Sequence, residues 1–182
     1  MAIPENLIQK WTKIFNYRDT DNDGVVRETD FEGYTRHFIQ IYGPKAEPVL
    51  EINKILWGTM TAKEYKPEIT LPEFLDNYTY LWTQDRCGLE EKLKRYTNLC
   101  FDAIDTNGDG GISLAEYSVY QNSFGITNHD YIEHIFKQID VDDNGVISRE
   151  EFVGEVLEFV LSEDKEAIPD MYDHHKAKTF RK

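Results

Sequence analysis

Three stretches of this chain put oxygen-bearing side chains at the first, third, fifth and twelfth of twelve positions: DTDNDGVVRETD at 19–30, DTNGDGGISLAE at 105–116 and DVDDNGVISREE at 140–151. That pattern suits a hard divalent cation. Calcium takes roughly six to eight oxygens, and a twelve-residue loop can offer them from positions one, three, five, seven, nine and twelve, with a turn at six. In the first stretch the candidates are Asp19, Asp21, Asp23 and Asp30, with the Val25 carbonyl. Arg27 at its ninth position has no side-chain oxygen, so water must serve there. In the second they are Asp105, Asn107, Asp109, Ser113 and Glu116, with the Gly111 carbonyl. In the third they are Asp140, Asp142, Asn144, Ser148 and Glu151, with the Val146 carbonyl. Gly24, Gly110 and Gly145 fill the sixth positions, where the turn requires positive φ.

Ten of the 34 acidic residues are ligands in these loops. They repel one another without a cation, so metal binding should stabilise the fold. The expectation is three Ca²⁺ sites. The first loop ends in Asp30 rather than Glu, one methylene short of easy bidentate ligation. The smaller, six-coordinate Mg²⁺ should therefore compete chiefly there.

The elements that position these loops repeat as well. Phe15, Phe101 and Phe136 each precede a loop by four residues, and Phe31, Tyr117 and Phe152 each follow one. Asp19 and Asp105 are 86 residues apart, whereas Asp105 and Asp140 are 35 apart. Halving the long gap finds AKEYKPEITLPE at 62–73, with Ile69 at the eighth position, Glu73 at the twelfth and Phe74 next. Ala62, Lys66 and Pro67 stand at its first, fifth and sixth positions, so this loop is expected to be degenerate and metal-free. Val26 should pair with Ile69, and Ile112 with Ile147, in short β contacts.

Apolar residues recur at helical spacing on both sides of every loop. Leu7, Ile8, Trp11, Ile14 and Phe15 precede the first, and Phe31, Tyr34, Phe38 and Ile41 follow it, up to Gly43-Pro44. Further helices are expected over 46–58, 71–82, 89–104, 114–124, 129–139 and 150–161. The expected fold is all-α, with eight helices in two paired lobes forming one compact globule. Residues 1–86 make the N-terminal pair, 87–162 the C-terminal pair and 163–182 a tail.

This pattern resembles the EF-hand superfamily and, within it, the invertebrate sarcoplasmic calcium-binding proteins. The likeness lies in DTDNDGVVRETDFE, with Asp ending its loop, in IDTNGDGGISLAEY, and in the degraded second unit. The resemblance implies an aromatic-rich globule that buffers calcium and magnesium. The chain is also similar to the calexcitins, which are neuronal sensors, and to coelenterazine-binding proteins and calcium-triggered photoproteins. The last helix, REEFVGEVLEFVLSED, lacks the His, Trp and Tyr of photoproteins, and the chain ends in Lys182 rather than Pro.

Composition narrows the function further. A net charge of −14 disfavours nucleic acid and anionic membranes. No apolar run approaches a membrane span. The opening MAIPENLIQKWTK lacks a secretory pattern, and Ala2 excludes N-myristoylation. The cytoplasm is the expected compartment, with Cys87 and Cys100 as free thiols. Trp11, Trp57 and Trp82 should be core. The tail segment AIPDMY at 167–172 could fold back on the C-terminal lobe, while His174-His175 and KAKTFRK read as a solvated end. No catalytic constellation is visible, so the chain is expected not to be an enzyme.

Only three Met stand against 10 Phe, 11 Tyr and 3 Trp. A sensor's adaptable groove relies on methionines, so a stiff buffer is the leading expectation. A calexcitin-like sensor and a carrier of a small apolar ligand such as coelenterazine are the alternatives. A monomer is expected, and nothing indicates a protein target.

Overall fold

A computed structural model describes residues 3–19, 21–43 and 47–163. Helix α1 (Glu5–Arg18) starts behind Pro4 and buries Leu7, Trp11, Ile14 and Phe15 along one stripe. It is followed by β1 (Val25–Arg27) and α2 (Glu28–Tyr42), then α3 (Glu47–Met60), β2 (Glu68–Thr70) and α4 (Leu71–Gln84). The second half repeats the plan with α5 (Arg86–Ile104), β3 (Gly111–Ser113), α6 (Leu114–Ser123), α7 (His129–Ile139), β4 (Val146–Ser148) and α8 (Arg149–Leu161). The fold is all-α, carrying four EF-hand units in two pairs.

The helices after the loops begin on capping boxes. At α6 and α8 the Ser113 and Ser148 hydroxyls accept from the amides of Glu116 and Glu151, whose carboxylates accept in turn from the Ser113 and Ser148 amides. The residue type that suits a twelfth-position ligand thus also starts the next helix. Helix α5 is capped by Asp85, which accepts from the Gly88 amide, and so begins three residues before the expected Leu89. The other boundaries fall within about three residues of expectation, as frayed ends do.

Strands β1 and β2 are antiparallel with Val26 opposite Ile69, and β3 and β4 with Ile112 opposite Ile147. All four of these side chains are buried, so each bridge is also a core contact. The aromatic residues interlock beneath them. Phe15, Phe74 and Tyr78 form a chain with ring centroids 5.6 and 4.4 Å apart, and Trp11 lies 5.5 Å from Tyr78. Tilted ring pairs at such distances add to the area they bury.

The two pairs pack on each other through α3 against α5, α1 against α8 and α2 against α6. The Trp11 indole donates to the Val160 carbonyl (3.0 Å), and the buried Lys10 ammonium donates to the Ser162 carbonyl (3.0 Å). Arg18 is buried at the same seam, over the rings of Tyr17, Phe31 and Phe124, and donates to the Tyr96 hydroxyl at 2.8 Å. Trp11 and Trp57 are core, as expected. Trp82 is only half-buried: Arg86, one turn on, stacks its guanidinium 3.9 Å from the ring centroid. Cys87 is exposed and Cys100 buried, and both are free thiols. Pro44, the side chains of Tyr34 and Phe38, and the tail features at 167–172 and 174–182 lie outside the described residues.

Candidate metal centre

Each of the three acidic loops begins where a helix ends. The amides of Asp19, Asp105 and Asp140 still donate to the last helical carbonyls, of Phe15, Phe101 and Phe136, at 2.8–2.9 Å. The chain then turns through left-handed backbone twice. The fourth position is Asn22, Gly108 or Asp143, with φ of 57°, 72° or 54°, and the sixth is Gly24, Gly110 or Gly145, with φ of 84°, 90° or 84°. Asn and Asp are the non-glycine residues that tolerate this region best. The fourth position was a signal available in the sequence, but reasoning from ligands alone passes over it.

This double turn brings backbone N–H groups inward onto the first-position carboxylate. Gly24 donates to Asp19 Oδ2 (2.9 Å), Gly110 to Asp105 Oδ2 (3.0 Å) and Gly145 to Asp140 Oδ2 (2.8 Å). The third and fifth positions take amides two residues on: Asp21 from Asp23, Asn107 from Asp109, Asp142 from Asn144, Asp23 from Val25, Asp109 from Gly111 and Asn144 from Val146. These bonds hold the candidate ligand groups in place; at the first positions both carboxylate oxygens are engaged, Oδ1 accepting from the amide of Asp23, Asp109 or Asn144.

Among the described residues two acidic clusters converge, with carboxylate oxygens within 4.8 Å of one another: Asp19, Asp21 and Asp23 in the first loop, and Asp140, Asp142 and Glu151 in the last. The difference lies in the twelfth residue. Glu151 reaches its cluster, whereas Asp30 stays outside, its Oδ2 held at 2.7 Å by the Arg27 amide. In the loop at 105–116, Glu116 Oε1 is turned to the amide and hydroxyl of Thr106 (3.0 and 2.9 Å). Val25, Gly111 and Val146 open the strands β1, β3 and β4 at the seventh positions. Ser113 and Ser148 face the capping carboxylates at the ninth.

Electrostatics fit a cation site. Burial pushes the Asp19 carboxyl up, and neighbouring Asp21 adds to the rise against the amides of Gly24 and Asp23. Burial also works against Glu116 and Glu151, but hydrogen bonds from Ser113 and Thr106, and from Ser148 and Val141, outweigh it and hold both carboxylates below their ordinary range. They are thus kept ionised, as a metal ligand must be. The donor set, all carboxylate, amide, hydroxyl and carbonyl oxygen, suits calcium or magnesium and no soft metal.

The loop at 62–73 differs. None of its residues has positive φ. The Lys63 amide donates to Asn77 Oδ1 (2.8 Å), and the Lys66 carbonyl accepts from the Trp57 indole (3.0 Å). The Lys66 ammonium lies 2.6 Å from Glu73 Oε1.

An EF-hand domain-pair family model matches residues 94–157. The chain is 25% identical to a sarcoplasmic calcium-binding protein of Mizuhopecten yessoensis over 87% of this chain and 91% of the relative. It is 31% identical to clytin of Clytia gregaria, over 57% of this chain and 55% of the relative. Calcium-loaded apo-aequorin from Aequorea victoria superposes with a TM-score of 0.69 at 21% identity, covering 87% of this chain and 92% of aequorin. The chain is a calcium-binding protein of the EF-hand class. Its relatives are the sarcoplasmic calcium-binding proteins and the clytin and obelin group.

Proposed function

We propose that the protein is a cytoplasmic Ca²⁺/Mg²⁺ buffer with three metal sites, at 19–30, 105–116 and 140–151, and that it is not an enzyme. The observation that supports a buffer most directly is the filled seam between the halves. The cavity there, lined by Tyr17, Tyr96, Cys100, Tyr117, Gln121 and Phe152 among others, has about 20 Å³ of free space. That is room for one water. It leaves no space there for an organic ligand, which speaks against a carrier that encloses one between the halves. Met60 is fully buried, so among the described residues no methionine offers itself to a target. No helix of the described residues is long and apolar enough to cross a membrane.

One observation favours a second reading, the sensor. An open groove of about 390 Å³ runs between α2 and α3 over Phe31, Ile39, Leu50 and Trp57, with Ile39 and Leu50 40% and 52% exposed. The deciding experiment is a calorimetric calcium titration with and without millimolar magnesium, alongside ANS fluorescence. A buffer gives three sites, magnesium competition and little calcium-dependent change in ANS. A large calcium-dependent rise in ANS fluorescence would move the assignment to a sensor.

A further inference from the structure

In the loops at 105–116 and 140–151 the twelfth-position carboxylate splits its two oxygens. One closes the capping box with a Ser, and the other reaches across to the second-position amide, of Thr106 or Val141, at 3.0 and 2.9 Å. Glu73 keeps the first half of this pattern: Oε2 accepts from the amide and hydroxyl of Thr70, both at 2.9 Å. The other half is changed. Oε1 meets the Lys66 ammonium at 2.6 Å, and Lys66 occupies the fifth position, where the metal-binding loops carry a ligand. Lys66 and Thr70 together hold the Glu73 carboxyl down at about 2. A positive charge therefore sits among the loop's would-be ligands as part of the chain.

This cation is anchored, although the ion pair itself is half-exposed and weak alone. The Lys66 backbone carbonyl accepts from the nearly buried Trp57 indole (3.0 Å), and the next carbonyl, of Pro67, accepts from the Glu28 amide (3.1 Å) at the exit of the first loop. The Tyr65 hydroxyl donates to Glu28 Oε2 (2.5 Å), the Arg27 guanidinium pairs with Glu68 (3.4 Å), and Ile69 faces Val26. The segment around Lys66 thus grips residues 26–28, which lead directly to Asp30.

We propose that the Lys66 ammonium is a resident cation that substitutes for a divalent ion in the second loop. Lys66 is then a positioning residue for the first metal site, keeping β2 set against β1 at every calcium level. This rests on the reading of loop 19–30 as a calcium site. The N-terminal pair would behave as one half permanently loaded, whereas the C-terminal pair depends on ions at both of its loops.

The test uses the full chain as wild type, Lys66→Met, Lys66→Arg and Glu73→Gln. Site-resolved NMR follows the Gly24, Gly110 and Gly145 amides through a calcium titration, and the Trp57 indole proton is read in both calcium-free and calcium-loaded protein. Lys66→Met and Glu73→Gln should weaken the Gly24 site by about fivefold or more, leave the Gly110 and Gly145 sites unchanged and shift the calcium-free Trp57 indole resonance. Lys66→Arg should stay near wild type. Glu73→Gln, nearly isosteric, carries the test if Lys66→Met does not fold. Folded variants with an unaltered Gly24 site and Trp57 resonance, or equal weakening at all three sites, would overturn the proposal. If wild-type Gly24 ignores calcium altogether, the first-loop calcium reading fails instead. The calcium-free Trp57 comparison then still decides whether Lys66 orders its own loop.

Discussion

The Arg27 guanidinium lies 2.7 Å from the Asp23 carboxylate, so the ninth residue of the first loop holds the fifth. This contact, with the Val25 amide, keeps Asp23 below the ordinary carboxylate range. A divalent ion must draw Asp23 away from Arg27 to bind. Arg27→Ser, which restores the residue found at the same position in the other two sites, should raise first-loop calcium affinity about twofold to fivefold, the scale of one exposed ion pair. Calcium titration monitored at Gly24 measures it, and an unchanged affinity would show that the pair yields without cost.

Asp30 remains outside the cluster that Asp19, Asp21 and Asp23 form, while Glu151 joins Asp140 and Asp142 in the last loop. Asp30→Glu should bring the twelfth carboxylate to the cation and raise calcium-over-magnesium selectivity of the first loop by roughly an order of magnitude. Calcium titrations of both proteins in millimolar magnesium provide the comparison. No shift in selectivity would mean that the loop already closes on calcium with Asp30.

Glu151→Gln keeps the shape of the last loop but removes the carboxylate, and with it the charge and the bidentate reach at its twelfth position. Native mass spectrometry should count three calcium ions on wild type and two on the variant. A wild-type count of two or four would contradict the assignment of sites.

Glu155 on α8 is half-buried, with Oε1 shielded from water and unpaired among the described residues. Burial first, and Glu158 second, push its carboxyl up to about 7 against the pull of Lys10. The folded state therefore holds this proton more tightly than the unfolded chain, whose ordinary value is 4.5. Stability from this group is full below 4.5 and is lost as pH rises through about 7. Glu155→Gln should leave stability unchanged near pH 4.5 and raise it by about 1–2 kcal/mol at pH 8, after discounting for partial exposure. Urea denaturation at the two pH values gives the answer, and equal gains at both would rule out the ionisation.

Much of this was legible because one residue often serves two purposes. Ile69 keeps the eighth position of the loop at 62–73, and together with Glu73, Phe74 and the halved 86-residue gap it revealed the fourth hand and its pairing with Val26. The ligand spacing likewise marked Glu116 and Glu151, which turn out also to start helices. What stayed hidden were partnerships across the chain. Lys66 could be read as a lost ligand but not as the partner of Glu73, and Arg27 as a missing oxygen but not as a rival for Asp23. Nothing in the sequence singled out Arg18. Its cage of rings draws on Phe124, a residue 106 positions away that no local periodicity connects to it. Trp82 followed the apolar stripe of its helix, yet Arg86 covers its ring at the surface.

The bonds from Trp11 and Lys10 on α1 to the carbonyls of Val160 and Ser162 join the beginning of the described fold to its end. They impose an order on synthesis. A chain emerging from the ribosome can form its first hand early and lay Tyr78 of α4 against Trp11, but the indole edge and the Lys10 ammonium that meet α8 stay wet until α8 has left the exit tunnel, and such distant contacts close slowly. Shortened chains that stop before Val160 would therefore carry an open edge beside Trp11 and Lys10 and be the species most prone to capture by chaperones.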